Sequence, residues 1–292
     1  MSMASERFYS MSGDTQQSDV RAANVAFFHE TASKFDSYES HMFAQDLQQM
    51  LEEDLDRMAN RLALLQRPVR CLDCGGGTGN LTLKMLKRGW NVTVVDISSD
   101  MLAILQKKIA EKGYSATLVC DAVENFLQST TATYDLISFG SVLHHLHSYV
   151  AVIELATKRI NPGGFFYSSL DPVRPPHAAL TRAFTSLDTI LAKALLDPQD
   201  FFPGTLRRLK KLFVAKDQLH ERPVAGMGDI ADYHAIDGID PAPIREVFQR
   251  QGFSAELVKY ADGRISATRF VNRFIPLMQQ LKIMAQRHSD AS

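Results

Sequence analysis

Cysteine is scarce: the chain has three in 292 residues, at Cys71, Cys74 and Cys120. An odd number in a chain this long excludes a disulfide-framed miniature fold, so burial of apolar surface must hold the structure. Cys71 and Cys74 have the spacing of half a zinc site, but no second pair supplies the other ligands and both end an apolar run, so no metal is expected. There is also no apolar run long enough to cross a bilayer. Residues 1–24 lack the basic start and apolar stretch of a secretory signal, which predicts a cytoplasmic protein without a membrane span. Neither sign of charge is in excess, with 32 Lys and Arg against 33 Asp and Glu and a formal net charge of −1. That balance removes any global pull toward nucleic acid or acidic lipid. Internal repeats and low-complexity tracts are missing as well. What remains is a globular composition, 45% hydrophobic and 22% charged, sized for one large α/β domain with additions or for two small domains.

Residues 1–20 are polar and aperiodic, which reads as a frayed end or a segment that orders on binding. From 25 to 65 the pattern turns helical. Phe43, Leu47, Met50, Leu51, Leu55, Met58 and Leu62 form an apolar stripe interrupted by Asp54. After Pro68 short apolar runs at 69–74, 92–97, 116–120, 134–139 and 164–170 alternate with helical patterns at 80–87, 99–112, 124–128 and 149–160. This βαβ rhythm predicts a doubly wound α/β domain with a mostly parallel sheet. Ser98 and Ser99 can cap a helix, Gly89 and Gly113 follow helix ends, and Asn161-Pro-Gly-Gly164 makes a turn before the fifth strand. The alternation breaks at Pro172, Pro175 and Pro176. Helical patterns at 179–196 and 205–219 then suggest a lid or substrate-binding insertion.

A helix at 241–251, a strand at 255–260, Asp262-Gly263 as a tight turn and a strand at 266–274 complete the sheet with an antiparallel hairpin, followed by a final helix. The organisation expected is a tail and helical cover at 1–65, a core at 66–174, a helical insertion at 175–235, and completion of the sheet over 236–292.

The chemistry concentrates after the first strand. Gly75, Gly76, Gly77 and Gly79 follow Asp73, giving a DxGxGxG series. Glycines there let backbone N–H groups approach a ligand, because no Cβ intervenes and φ can be positive. Such a turn alone is ambiguous, since dinucleotide-binding folds carry a similar GxGxxG. Asp96, at the end of the second strand, can accept both hydroxyls of a ribose, a feature nicotinamide-dependent enzymes share. Asp121 follows the third strand.

The spacing of Asp73 and the glycines resembles motif I of the class I S-adenosylmethionine-dependent methyltransferases. Asp96, Asp121, the Val142-Leu-His-His-Leu146 run, the Asn161-Pro-Gly-Gly164 turn and the closing hairpin strengthen the likeness. It covers residues 66–172 motif by motif and 240–276 by pattern only, and is nearest to small-molecule methyltransferases. It implies a Rossmann-like seven-stranded sheet with one antiparallel strand and S-adenosyl-L-methionine as cofactor. It further implies that Asp73 and the loop at Gly75, Gly77 and Gly79 hold the methionine part, Asp96 the ribose, and Asp121 the adenine amino group with Ala122 beside the ring. Ile97, Met101 and Gly140 join that set. Phe27-Phe28-His29-Glu30 and Lys34-Phe-Asp-Ser-Tyr38 resemble the family's N-terminal cofactor cover, with Phe35 and Tyr38 toward the sulfonium; an amphipathic helix packed on the core explains them equally well.

In-line methyl transfer demands alignment first and proton removal second. His144, His145 and His147 cluster beyond the fourth strand. His144 or His145 is a candidate base, against the simpler reading that the rings pack or bond backbone. Asp171, Arg174, His177 and His234 are candidates for an acceptor pocket, with solvated loop positions the commoner explanation. Arg207, Arg208, Lys210 and Lys211 form either a solvated helix face or a contact for an anionic or carrier-bound acceptor. The preferred expectation is methyl transfer to oxygen or nitrogen of a small-molecule acceptor, with the oligomeric state open. A nicotinamide-dependent oxidoreductase and a cofactor-binding regulatory protein are the alternatives.

Overall fold

The computed structural model describes residues 13–32, 35–38, 42, 44–175, 180, 181, 184, 187, 188, 238–261, 270–275 and 277–289. Strands β1 (Arg70–Cys74), β2 (Asn91–Asp96), β3 (Thr117–Cys120), β4 (Tyr134–Gly140) and β5 (Ile160–Pro172) are joined by helices α4 (Asn80–Lys87), α5 (Ser99–Glu111), α6 (Val123–Ser129) and α7 (Tyr149–Thr157). Helix α8 (Pro241–Arg250), β6 (Phe253–Ala261) and β7 (Gln279–Arg287) follow. The seven-stranded sheet has the order β3-β2-β1-β4-β5-β7-β6. β1 to β5 run parallel, and β7 lies antiparallel to both neighbours.

The period-2 alternation of each strand divides the core between the two faces of the sheet. Leu72, Ile137, Phe139 and Phe166 pack with α6, α7 and α8 on one side. On the other, Cys71, Val92, Val94, Leu136 and Tyr167 pack against α4, α5 and a helix that precedes the sheet, α3 (Gln45–Leu62). Leu51, Leu55, Met58 and Leu62 of α3 are at most 1% exposed, each contributing about 1.5–3 kcal/mol by burial. The Asp54 interruption faces inward too: its carboxylate accepts from Tyr167 Oη at 3.0 Å and from Lys282 Nζ at 2.9 Å. Local signals act as the sequence predicts at Ser98, whose side chain accepts from Met101 N, and at Gly89 and Gly113, where φ is 75° and 67°.

Four expectations need correction. A helix, α1 (Gly13–Thr31), begins within the segment read as frayed, and the short helix α2 (Phe35–Tyr38) follows it. Asn161-Pro-Gly-Gly164 lies inside β5 as a bulge, since Tyr134 pairs Ile160 while Leu136 pairs Phe165. The second strand of the C-terminal hairpin is 279–287 rather than 266–274, and residues 270–272 are helical. Consequently the last element described is a strand, where a final helix is expected. The physical cause is a misleading pattern: Lys282 sits mid-strand with its ammonium turned to buried Asp54, so a charge occupies a position that alternation would reserve for an apolar side chain. The predicted helices at 179–196 and 205–219 fall largely or wholly outside the described residues.

Candidate active site

The strand order reverses between β1 and β4, and a cavity of about 260 Å³ opens at the carboxyl ends of β1, β2 and β4, the usual place for ligands in open α/β sheets. Gly75, Gly77 and Gly79 adopt φ of 67°, 53° and 98°. Gly75 N donates to Val95 O at 2.7 Å and Gly79 N to Gly76 O at 2.9 Å, which fixes the turn. The glycines differ in what they exclude. A Cβ on Gly75 would stand 2.5 Å from Val142 Cγ2, whereas one on Gly77 would meet nothing within 4 Å. Gly75 therefore serves close packing, and Gly77 keeps ligand space clear.

Asp73 lies beneath the turn at 1% exposure. Thr82 Oγ1 and Ser138 Oγ donate to its two oxygens at 2.6 and 2.8 Å. Burial outweighs these donors and raises its pKa to about 6. Asp96 is 7% exposed, and its oxygens accept from Gly77 N and Ser98 N, both at 2.8 Å. Burial again pushes the pKa up, against the two backbone donors. One carboxylate thus shapes both the glycine turn and the start of α5.

Of the residues singled out in the sequence, Asp73, Gly75, Gly77, Asp96, Ile97, Met101, Ala122, Gly140, His144 and His145 line this one cavity. Three do not. Gly79 terminates the turn at the start of α4. Asp121 directs its carboxylate to Ala122 N at 2.8 Å and Asn125 Nδ2 at 3.2 Å, a helix-starting role. Tyr38 ends α2, and its side chain lies outside the described residues. Cys71 and Cys74 are buried in β1. Arg174 pairs with Asp240 at 3.6 Å and is largely exposed, away from the cavity. His177, His234 and the 207–211 basic cluster also fall outside the described residues.

Sequence reasoning names Phe27 and Phe28 of α1 as a cofactor cover but misses Val20, Arg21 and Asn24 on the same helix. Val20, Arg21, Asn24, Phe27 and Phe28 line the cavity from that helix, recurring at the spacing that marks one helical face. Arg21 lies 3.5 Å from Glu124, itself on the wall and 7% exposed. Asn24 Nδ2 donates to Val20 O and His145 O at 3.0 and 3.4 Å, and its buried Oδ1 has no hydrogen-bond partner. Phe28 meets Phe35 and His145 edge-on at 6.1 and 5.6 Å. A Val20–Asn24–Phe27–Phe28 spacing was available as a signal, but polar Asn24 and the preceding Ser/Gln-rich stretch masked it.

The histidine cluster is organised by a residue that surface statistics place in solvent. Asp171 is fully buried, and the solvated-loop reading of it fails. Its Oδ1 lies 2.9 Å from His144 Nδ1 and 3.2 Å from His144 N, while Ser168 Oγ donates to Oδ2 at 2.6 Å. A carboxylate oxygen at this distance favours the neutral His144 tautomer that carries its proton on Nδ1, which leaves Nε2 as the basic nitrogen. His145 packs against His144 at 4.0 Å between centroids, and His147 Nδ1 lies 3.1 Å from Ser148 Oγ.

Sheet order, glycine turn and strand-end carboxylates define a class I S-adenosylmethionine-dependent methyltransferase core. Residues 71–164 match the family model described as a methyltransferase domain. A ubiquinone biosynthesis O-methyltransferase of Idiomarina loihiensis is 30% identical over 103 residues, covering 35% of this chain and 42% of that protein. The enzyme of the same name from Aliivibrio fischeri strain MJ11 is 28% identical over 159 residues, covering 54% and 66%. The chain thus spans under half the length of the first of these relatives. Among solved structures, the plantazolicin methyltransferase BpumL in complex with S-adenosylhomocysteine has a TM-score of 0.55 at 12% identity, covering 98% of this chain and all of that one. Magnesium protoporphyrin IX methyltransferase from Synechocystis PCC 6803 with the same molecule bound has a TM-score of 0.52 at 15% identity, covering 93% and 99%. At these identities the likeness is one of fold. Among the described residues no helix is long and apolar enough to cross a membrane, and no group of three or more His, Cys, Asp or Glu is arranged to hold a metal.

Proposed function

We propose that this protein moves the methyl group of S-adenosylmethionine to a hydroxyl oxygen of a small-molecule acceptor. The residues fit that cofactor: Gly77 leaves open space where a side chain would intrude, and Asn24 Oδ1 is a buried acceptor awaiting a donor. Asp73 and the turn would hold its methionine part, Asp96 its ribose, and Ala122, Ile97 and Met101 its adenine. When bound, the cofactor supplies an electrophilic methyl on sulfonium; the acceptor oxygen forms the new C–O bond as the C–S bond breaks and its electron pair returns to sulfur. The chain's task is alignment and removal of one proton.

The observation carrying the preference for oxygen is the His144–Asp171 pair on the same cavity wall as the glycine turn. A neutral amine needs no base before attack, whereas a hydroxyl must shed its proton, which His144 Nε2 would take. The names of the relatives, O-methyltransferases, support the same choice.

The test is binding followed by transfer. At one hundred times its Kd, S-adenosylhomocysteine should stabilise the protein by about 2.7 kcal/mol, with NADH giving no shift. Methyl-labelled cofactor and a fractionated metabolite extract should yield a labelled small molecule. His144→Gln should keep cofactor affinity and lose about 100-fold or more in transfer. Stabilisation by NADH instead, label in a macromolecule, or an unimpaired His144→Gln would overturn the reading.

A further inference from the structure

Asp171 reaches His144 only because β5 breaks its own alternation. In a regular strand, residues three apart point to opposite faces. Ser168 and Asp171 are three apart, yet Ser168 Oγ donates to Asp171 Oδ2 at 2.6 Å. The register explains this: Ser168 pairs Ile283 and Asp171 pairs Leu281, so β5 spends three residue steps where β7 spends two. One inserted residue flips everything after it to the other face. The bulge thereby turns Asp171 toward His144.

The bulge is a strained one. Leu170 has φ of 67°, and Ser141, whose N donates to Ser169 O at 2.8 Å, has φ of 61°. Left-handed backbone at a non-glycine residue persists only where surrounding contacts impose it. Two constraints act on Leu170. Its side chain is buried with Ala44 and Leu47, and its N–H, displaced from the ladder by the register shift, donates to Tyr260 Oη at 3.1 Å. Tyr260 stands on β6, opposite Gln280 of β7, so its side chain crosses β7 to reach β5.

We infer that Tyr260 is a positioning residue: by holding the Leu170 bulge from two strands away, it aims Asp171 at His144 and selects the ring tautomer. This rests on the proposed role of His144 only for its catalytic consequence, since the geometry itself needs no acceptor.

The test reads the imidazole directly. Nitrogen-15 histidine spectra of the full chain, with His144 assigned through His144→Gln, report which ring nitrogen carries the proton. Wild type should show the Nδ1–H form dominant, and Asp171→Asn a mixture. Tyr260→Phe, which deletes one hydroxyl, should lower the ratio of Nδ1–H to Nε2–H at least threefold, as should Tyr260→Leu, while Lys259→Ala on the same strand leaves it unchanged. With an acceptor in hand, Tyr260→Phe should lower kcat about tenfold and leave the Kd for S-adenosylhomocysteine within twofold. His144 signals identical in wild type and Tyr260→Phe would overturn the inference. Altered signals with turnover that is indifferent to His144→Gln would uphold it and overturn the base assignment instead.

Discussion

Asp73 shows how a single carboxylate couples ligand chemistry to stability. Its folded-state pKa of about 6 stands above the ordinary value of 3.8 because burial penalises the charge. The native state therefore binds more protons than the unfolded chain between those values, and stability falls as pH rises through that window. A shift of roughly two units corresponds to about 3 kcal/mol. The stability of Asp73→Asn relative to wild type should accordingly improve by about 2 kcal/mol from pH 4 to pH 7, measured by urea unfolding at each pH; parallel pH curves would contradict it. Asp73, Asp96 and the glycines were legible because strand-end carboxylates and a turn of small residues are local features. Asp171 was not. Its direction depends on a bulge at Leu170 that is held by a tyrosine ninety residues later in the chain, and nothing in residues 168–171 announces the extra step.

Helix α3, strand β5 and strand β7 meet at a buried polar cluster of Asp54, Tyr167 and Lys282. Read separately, Asp54 looks like a fault in an amphipathic helix and Lys282 like a surface position. Each excuses the other, which is why the stripe of α3 was recognisable while β7 was displaced to 266–274. Removing one member of such a cluster strands the other in a poorly hydrated site. Lys282→Met should therefore cost about 3 kcal/mol of unfolding free energy, and adding Asp54→Leu should recover most of it, as read from denaturant midpoints. A single variant as stable as wild type would show that Asp54 reaches water. The elements themselves were predicted within a few residues wherever the period was clean, as at 80–87, which matches Asn80–Lys87 without error.

On the scale of the whole molecule, the cavity is built from distant parts of the chain, with a rigid floor at the sheet ends and a roof of N-terminal helix. Polar contacts that tie down the roof among the described residues include Arg21 with Glu124, Asn24 with His145 O, and exposed His29 with Asp100 at 2.9 Å. Amides of α1 should exchange by local opening, well before those of β1 and β4. Saturating S-adenosylhomocysteine should slow them by at least about tenfold through linkage, followed by hydrogen exchange and mass spectrometry. Unchanged α1 exchange on a stabilised protein would remove this helix from the ligand's enclosure.

The interior place of β7 bears on biosynthesis. Residues 173–278 separate it from β5, yet it fills the gap between β5 and β6. A ribosome delivers β5 long before its neighbour, so for that interval the nascent sheet presents an unpaired flank carrying Phe165, Phe166 and Tyr167. Such a flank invites pairing with other chains. The demand for shielding during translation is thus written into the strand order.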